Sequence, residues 1–511
     1  MKSRTNLSRA WFRLTPWLAG CAGLLLAAVP LGLYGQESSA PSGKVERFNK
    51  APVSREILRV KLPRPVEARL TNGLTVLILE DRRAPYVTLQ LHLGGAGALF
   101  EPAAIAGLAN ATALMLSEGT TSRTSVQIAE QIDRLGATLG ASAAFGSPDA
   151  VLSASGLSEN FDEWFAVIVD VLLNPSFPDD ELEKLKQRQR AHLREQRSSS
   201  GFLIRERFNR AVYGEHPAAQ VSVTADSINQ LNRAELVQWH RRRYVPGRAI
   251  LGVAGDVRAK ELVAKLEKHL AKWKKGDLEQ TWPPDPAPST ARRVLLVNRP
   301  NSVQTTLALG NIAIDRRSPD YMAMVVMNYI IGGGASSRLF LNLREEKGYT
   351  YGVYSDFSAL RYPGPWRTGG NMRTEVTESA LTEFFYELRR ITEERVTDAE
   401  LEASKRAIVA SFALSLEQPT RVLGFAIVAK QYGFPADYWD SYPSRIMAVT
   451  AADVQRVARK YLNLDAIQVV AVGDANKIKP TLEKYGKVEM FDTNGTPQGT
   501  AQPALPAAGG H

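Results

Sequence analysis

Transition metals are held by imidazole, thiolate and carboxylate groups brought together at short, regular spacing. This chain has six histidines, His92, His192, His216, His240, His269 and His511, and no two of them stand three or four residues apart. Its single cysteine, Cys21, excludes an internal disulfide and a thiolate metal cluster. The run Gly332-Gly333-Gly334 continues as Ala335-Ser336-Ser337, not as Gly-Lys-Ser/Thr, so it is no phosphate loop. What remains is donor chemistry. In Leu341-Asn342-Leu343-Arg344-Glu345-Glu346-Lys347-Gly348-Tyr349-Thr350-Tyr351, Arg344 carries a rigid fork of hydrogen-bond donors and Tyr351 one hydroxyl. Both groups suit a carbonyl oxygen that gains negative charge during peptide hydrolysis. A plainer reading stays open, with Arg344 paired to Glu345 or a neighbour along its helix and Tyr351 a half-buried strand residue.

Local signals indicate the elements that must position these two residues. Gly348 behind Lys347 is a helix stop, which places Arg344 in the last turn of a helix. Tyr351 then opens a strand running to Phe357. On a larger scale, Trp282-Pro283-Pro284-Asp285-Pro286-Ala287-Pro288 cannot join a helix or sheet interior and reads as an extended linker over 281–292. The pieces on either side, 56–280 and 293–490, repeat each other. Phe177-Pro178-Asp179-Asp180-Glu181-Leu182-Glu183 and Val396-Thr397-Asp398-Ala399-Glu400-Leu401-Glu402 each open a long amphipathic helix, 219 positions apart. Later in each half a helix leads into Tyr244 or Tyr461, then an apolar strand, then Gly255-Asp256 or Gly473-Asp474. Register held over such landmarks indicates duplication. Each half is expected to start with paired strands, Leu74–Leu79 with Val87–Leu93 and Val294–Val297 with Gln304–Leu309, and Asn72-Gly73 supplies a hairpin turn at the front. The predicted fold class is α+β: two duplicated domains, each an antiparallel-rich sheet covered on one side by helices. The tail, 491–511, is rich in Gly, Pro, Ala and Thr and is expected to be disordered.

The 511 residues are 44% apolar and 23% charged, which is ordinary globular composition and ample for two cores. Four of the basic residues, Lys2, Arg4, Arg9 and Arg13, precede an uncharged run from Trp17 to Tyr34; without the first 35 residues, 59 basic stand against 53 acidic residues. That mild excess, with no Lys/Arg cluster interleaved with aromatics, does not indicate nucleic acid as a partner. The N-terminus is expected to be a signal peptide over 1–35 followed by a polar spacer over 36–55. An uncleaved anchor and lipidation of Cys21 in Leu18-Ala19-Gly20-Cys21 are the alternatives. Export without disulfides points to a bacterial envelope, most simply the periplasm.

Two α+β halves of this size resemble the pitrilysin/insulinase-type metallopeptidases. Ala106-Gly107-Leu108-Ala109 and Met115-Leu116-Ser117-Glu118-Gly119-Thr120 look like the frame around that family's inverted zinc motif, H-x-x-E-H, in which two His hold the metal and the Glu polarises water. In this chain the three positions fall on Asn110, Ala113 and Leu114. Ala and Leu cannot ligate zinc or take a proton, and Asn is a poor zinc ligand. The family's third ligand, a Glu, is expected within 190–195, where His192 and Glu195 read as solvated helix residues, and His216-Pro217 matches a family loop but reads as a turn. The inherited site therefore reads as zinc-free. The segment from Ile331 to Tyr351 is the best family match, and its run Gly332-Gly333-Gly334 resembles the family's tight turn between two helices. The resemblance implies that Arg344 and Tyr351 hold substrate backbone across the cleft, in trans to a metal carried by another chain, as in a zinc-free subunit related to the mitochondrial processing peptidase. It further implies a zinc-bearing homologous peptidase subunit as partner, zinc in that partner and none here, and a peptide as substrate. Metalloendopeptidase activity is expected only with that partner. The alternative is a scaffold homologue with no role in proteolysis.

Overall fold

Strands form at the front of each half where Val, Ile and Leu run together, yet in neither half do the two strands expected to pair lie side by side. The computed structural model describes residues 56–276 and 281–498. The predicted leader and spacer lie outside the described residues, as does most of the tail. Strand β1 (Val66–Arg69) leads through Asn72-Gly73 into β2 (Thr75–Glu80). Gly73 takes a φ of 94°, a left-handed conformation that costs glycine little, and the Leu70 N–H donates to the Leu74 carbonyl at 2.9 Å. The predicted turn is therefore present, between β1 and β2. Strands β3 (Tyr86–Gly94), β4 (Thr138–Ser142), β5 (Asp149–Leu157) and β6 (Ala249–Gly255) complete the first sheet in the order β1-β2-β6-β3-β5-β4. The expectation that Leu74–Leu79 pairs with Val87–Leu93 is corrected: β6 lies between them, parallel to β2 and antiparallel to β3. Ile250, Leu251, Val253 and Ala254 form a nearly continuous apolar run, and only a central position covers both of its faces.

The second sheet is built from β7 (Arg293–Asn298), β8 (Gln304–Ile312), β9 (Thr350–Ala359), β10 (Pro363–Arg373), β11 (Gln468–Gly473), β12 (Val488–Phe491) and β13 (Pro497–Gln498). Its order is β13-β12-β7-β11-β8-β10-β9. The predicted pairing of Val294–Val297 with Gln304–Leu309 is corrected in the same way, because β11 lies between β7 and β8. The five-strand orders β2-β6-β3-β5-β4 and β7-β11-β8-β10-β9 match strand for strand, so the repeat in the sequence is a repeat in topology.

The helices repeat as well. The first half carries α1 (Leu108–Met115), α2 (Ser125–Arg134), α3 (Phe161–Leu173), α4 (Asp179–Ser198), α5 (Ser200–Tyr213), α6 (Ala225–Gln230), α7 (Arg233–Arg243) and α8 (Ala259–Leu270). The second carries α9 (Tyr321–Gly332), α10 (Arg338–Phe340), α11 (Thr377–Glu393), α12 (Asp398–Ser415), α13 (Pro419–Tyr432), α14 (Tyr442–Met447), α15 (Ala451–Tyr461) and α16 (Ala475–Glu483). Both long helices foreseen from the acidic openings, α4 and α12, start within that motif. At α12 the Thr397 hydroxyl accepts the Glu400 N–H at 3.3 Å, an N-cap bond that satisfies one free amide.

Each sheet packs one face on its own helices around a buried tryptophan, Trp164 in the first half and Trp366 in the second. Helices were expected on one side only; the structure corrects this, because the other half covers the second face. From the first half, α5 lays Phe202, Phe208 and Val212 on Leu295, Ala308 and Val470 of the second sheet. From the second half, α13 lays Val422, Leu423 and Ile427 on Leu77, Leu79 and Ala254 of the first. Two glycines make the approach possible. A Cβ on Gly310 would lie 2.8 Å from Phe208, and one on Gly252 would lie 2.7 Å from Ile427, both inside van der Waals contact. Residues 281–292 join the halves without helix or strand.

The start of the tail is ordered, which corrects the expectation for 491–498. Phe491 ends β12, Gly495 sits in a turn with a φ of 86°, and β13 pairs back onto β12. Arg197 donates to the Thr493 carbonyl at 3.3 Å and Arg207 to the Gly495 carbonyl at 3.0 Å. The Arg207 guanidinium also lies 3.5 Å over the Phe491 ring, a cation–π contact. Composition did not reveal these long-range anchors.

Candidate functional site

The path from α9 to β9 carries the donor pair. Helix α9 ends at Gly332, where a Cβ would lie 2.6 Å from the Ser355 backbone nitrogen, and a Cβ on Gly333 would lie 2.6 Å from the Tyr329 Cα. The glycine run is thus the tight inter-helix turn that the family resemblance implied. After it, Arg338 makes two 2.7 Å bonds to the Glu400 carboxylate, and the buried Asn342 amide donates to Glu383 at 2.9 Å and Glu387 at 3.0 Å. Bidentate and charge-assisted bonds of this kind hold geometry firmly. They fix the segment against α11 and α12 and leave Arg344 on its outer side.

Arg344 was expected in the last turn of an α-helix. The segment Leu341–Glu346 is instead a π-helix, with the Lys347 N–H donating to the Asn342 carbonyl at 3.0 Å. The wider turn is a feature that often accompanies functional sites. Gly348 ends it with a φ of 62°, and the Tyr349 N–H returns to the Leu343 carbonyl at 2.9 Å, as the glycine stop required.

Strand β9 begins at Thr350 and pairs with β10 at the edge of the second sheet. Tyr351 is 90% exposed, not half-buried. Arg344 lies with its guanidinium carbon 5.5 Å from the Tyr351 ring centroid and 4.7 Å from that of Phe340. It also pairs with Glu345 at 2.9 Å, so the plainer reading of Arg344 describes one of its contacts. Tyr354 and Leu341 are exposed beside it, and Phe340 packs against Tyr354 at 5.6 Å. An unbonded strand edge, a cation, a phenol hydroxyl and an apolar rim lie together. Sequence reading missed Phe340, Leu341 and Tyr354; alternation in β9 gave the only signal, and a register shift between Gly370 and Met372 of β10 obscured it.

The degenerate metal positions lie on α1. Ala113 is fully buried, Leu114 is partly exposed, and the Asn110 side-chain oxygen accepts the Ala143 N–H at 3.2 Å. One amide oxygen, already bonded, and two hydrocarbon groups do not fit zinc. Nor do the other candidates converge. His192 is exposed, 3.5 Å from Glu195 and 3.0 Å from Gln196. His216 caps a short turn, its Nδ1 accepting the Ala218 N–H at 3.2 Å. Among the described residues no group of three or more His, Cys, Asp or Glu is placed to hold a metal. Sequence reading also missed Glu101. Its two carboxylate oxygens accept the Gly107 and Ala109 N–H groups at 2.7 and 2.9 Å, which caps the start of α1. Burial drives its carboxyl up to about 7 despite those two bonds.

Comparison with known proteins decides the family. A family model described as insulinase (peptidase family M16) matches residues 75–224, and one described as peptidase M16 inactive domain matches residues 230–408. This chain belongs to the pitrilysin/insulinase (M16) peptidase family. Within the M16 family it is similar to an uncharacterized zinc protease, YmxG, of Bacillus subtilis (strain 168), 27% identical over 356 residues that span 68% of this chain and 83% of the relative. It is similar too to an uncharacterized zinc protease of Rickettsia bellii (strain RML369-C), 26% identical over 411 residues, 79% of this chain and 96% of the relative. Among solved structures, a peptidase M16 inactive domain from Pseudomonas fluorescens superposes with a TM-score of 0.74 at 29% identity, covering 80% of this chain and 98% of that one. A protease from Helicobacter pylori shares the fold, with a TM-score of 0.73 at 21% identity over 80% of this chain and all of its own. The two M16 models divide the chain so that Asn110, Ala113 and Leu114 fall in the first and Arg344 and Tyr351 in the second.

Proposed function

We propose that this M16 chain is the non-catalytic, substrate-binding subunit of a two-chain zinc metalloendopeptidase that acts on extended peptides. The observation that carries the reading is the coexistence of a zinc-incompetent α1 with an exposed Arg344–Tyr351 pair at a free strand edge. A homologous partner chain supplies zinc and breaks the bond. This chain grips the peptide. An extended segment added to an open edge, β9 here, gains main-chain hydrogen bonds without regard to sequence. Arg344 and Tyr351 then donate to a backbone carbonyl oxygen, the atom on which charge develops. The leader expected over 1–35 supports a periplasmic location for the assembly.

The test is reconstitution. The chain is purified alone and together with a homologue that carries H-x-x-E-H, and zinc content and cleavage of a quenched peptide are measured. Zinc and activity confined to the mixture support the proposal. Full activity of the zinc-bearing chain alone, unchanged on adding this one, leaves the scaffold role. Stoichiometric zinc with hydrolysis by the lone chain refutes it.

A further inference from the structure

A cleft of about 930 Å³ opens in the first half between α3, α7 and the end of α8. None of its residues belongs to the Arg344–Tyr351 site. Its wall is mixed, with Leu172, Leu173, Phe177, Val237 and Val245 set among polar residues such as Thr121 and Asn174. Its rim is cationic, with Arg241, Lys268, Lys272, Lys274 and Lys275. None of those five meets a carboxylate at ion-pair distance among the described residues. Among the described residues that line the cleft the one acidic residue is Asp170, already bonded to Arg123, Thr120 and Ser122 at 2.6, 2.6 and 2.9 Å. Arg233, also on the wall, donates to the carbonyls of Ser176 and Phe177.

Helix ends account for only part of this charge. Arg241 and Lys268 lie in the last turns of α7 and α8, where cations offset the helix dipole. That effect falls off within one turn, and Lys272, Lys274 and Lys275 lie beyond the end of α8 at Leu270.

We propose that this cleft binds an anionic lipid, with a phosphate or carboxylate head at the lysine rim and hydrocarbon on the apolar side chains of the wall. Charge complementarity selects the head, since lysines near an anionic headgroup attract it. A bilayer phospholipid and a free single-chain amphiphile share that chemistry.

Dodecyl phosphate, inorganic phosphate and dodecyl maltoside, each below its micellar concentration, are titrated into the full chain by calorimetry. Dodecyl phosphate is expected to bind about tenfold or more tightly than either of the others, and to weaken with salt. The variant K272Q/K274Q/K275Q is expected to lose about tenfold or more in that affinity. K61Q/K260Q/K477Q removes the same charge from exposed sites elsewhere and is expected to lose none. Flotation with phosphatidylglycerol vesicles separates the sources: a difference between wild type and K272Q/K274Q/K275Q assigns a bilayer lipid, and no difference assigns the free amphiphile. Equal dodecyl phosphate affinity in wild type and K272Q/K274Q/K275Q, or equal binding of dodecyl maltoside, overturns the proposal. The lysines are exposed, so their replacement leaves the fold in place.

Discussion

The Arg344 guanidinium carbon lies 5.5 Å from the centre of the Tyr351 ring, with Arg344 on a π-turn and Tyr351 on an edge strand. The two side chains are thereby held as one unit, although different backbone elements carry them. Because Tyr351 is almost entirely exposed, the pair contributes little to folding. In the reconstituted peptidase, Arg344→Ala and Tyr351→Phe are each expected to lower kcat by roughly 10²–10³, the usual cost of losing one oxyanion donor. Thermal melts of both variants should match wild type. A full rate in either variant would remove that residue from the proposed mechanism.

The exchanged helices make a stability prediction. Phe208 is buried on the second sheet although its helix belongs to the first half. Phe208→Ala should cost about 3–5 kcal/mol, read from urea unfolding, and both halves should unfold in one transition. Loss confined to one of two separate transitions would mean that the exchange does not couple them.

Asp149 predicts a pH dependence. Burial raises its carboxyl to about 6, although Arg361 lies near and the Gln431 amide donates to it at 2.7 Å. The unfolded value is about 3.9. Folding therefore favours the protonated form, and the cost of ionising it in place develops as pH rises from about 4 to about 6. Asp149→Asn should be more stable than wild type at neutral pH, with the difference closing below about pH 4. A difference in melting temperature that stays constant over that range would show that Asp149 is not the titrating group.

Asp320 works in the opposite direction. Burial opposes its ionisation, but bonds from Lys460, Arg456 and Tyr461 outweigh this and bring the carboxyl to about 2. Its stabilising contribution is complete above the unfolded value of about 3.9 and is lost as pH falls toward 2. Asp320→Asn should be less stable at neutral pH and should show a shallower loss of stability between those limits. Calorimetric melts across this acid window provide the measurement, and parallel curves would count against the assignment.

Chelation distinguishes the roles proposed for this chain and for its zinc-bearing partner. A structural or catalytic metal that binds only the folded chain raises its melting temperature. With the positions on α1 occupied by Asn110, Ala113 and Leu114, EDTA should leave the melting temperature of the lone chain within about 1 °C. The same treatment should abolish peptide cleavage by the reconstituted pair. A large destabilisation of the lone chain would reveal a metal site that its donor groups do not suggest.

Much of the molecule was legible in the chain itself. The duplication, the α+β class, the turn at Asn72-Gly73, the starts of α4 and α12, the glycine stop at Gly348 and the lack of ligands on α1 all rest on residue type and near-neighbour spacing. Those are local properties. Tertiary structure alone decided that β6 and β11 insert between strands adjacent in sequence, that α5 and α13 cross to the other half, and that Arg344 lies against Tyr351 and Phe340. The strand insertions and helix crossings depend on apolar surface finding cover from segments far along the chain, and the hydrophobic driving force is non-directional; the Arg344 contacts depend on the π-turn that carries it. Periodicity shows which face of an element must be buried; it carries no record of which distant element will bury it.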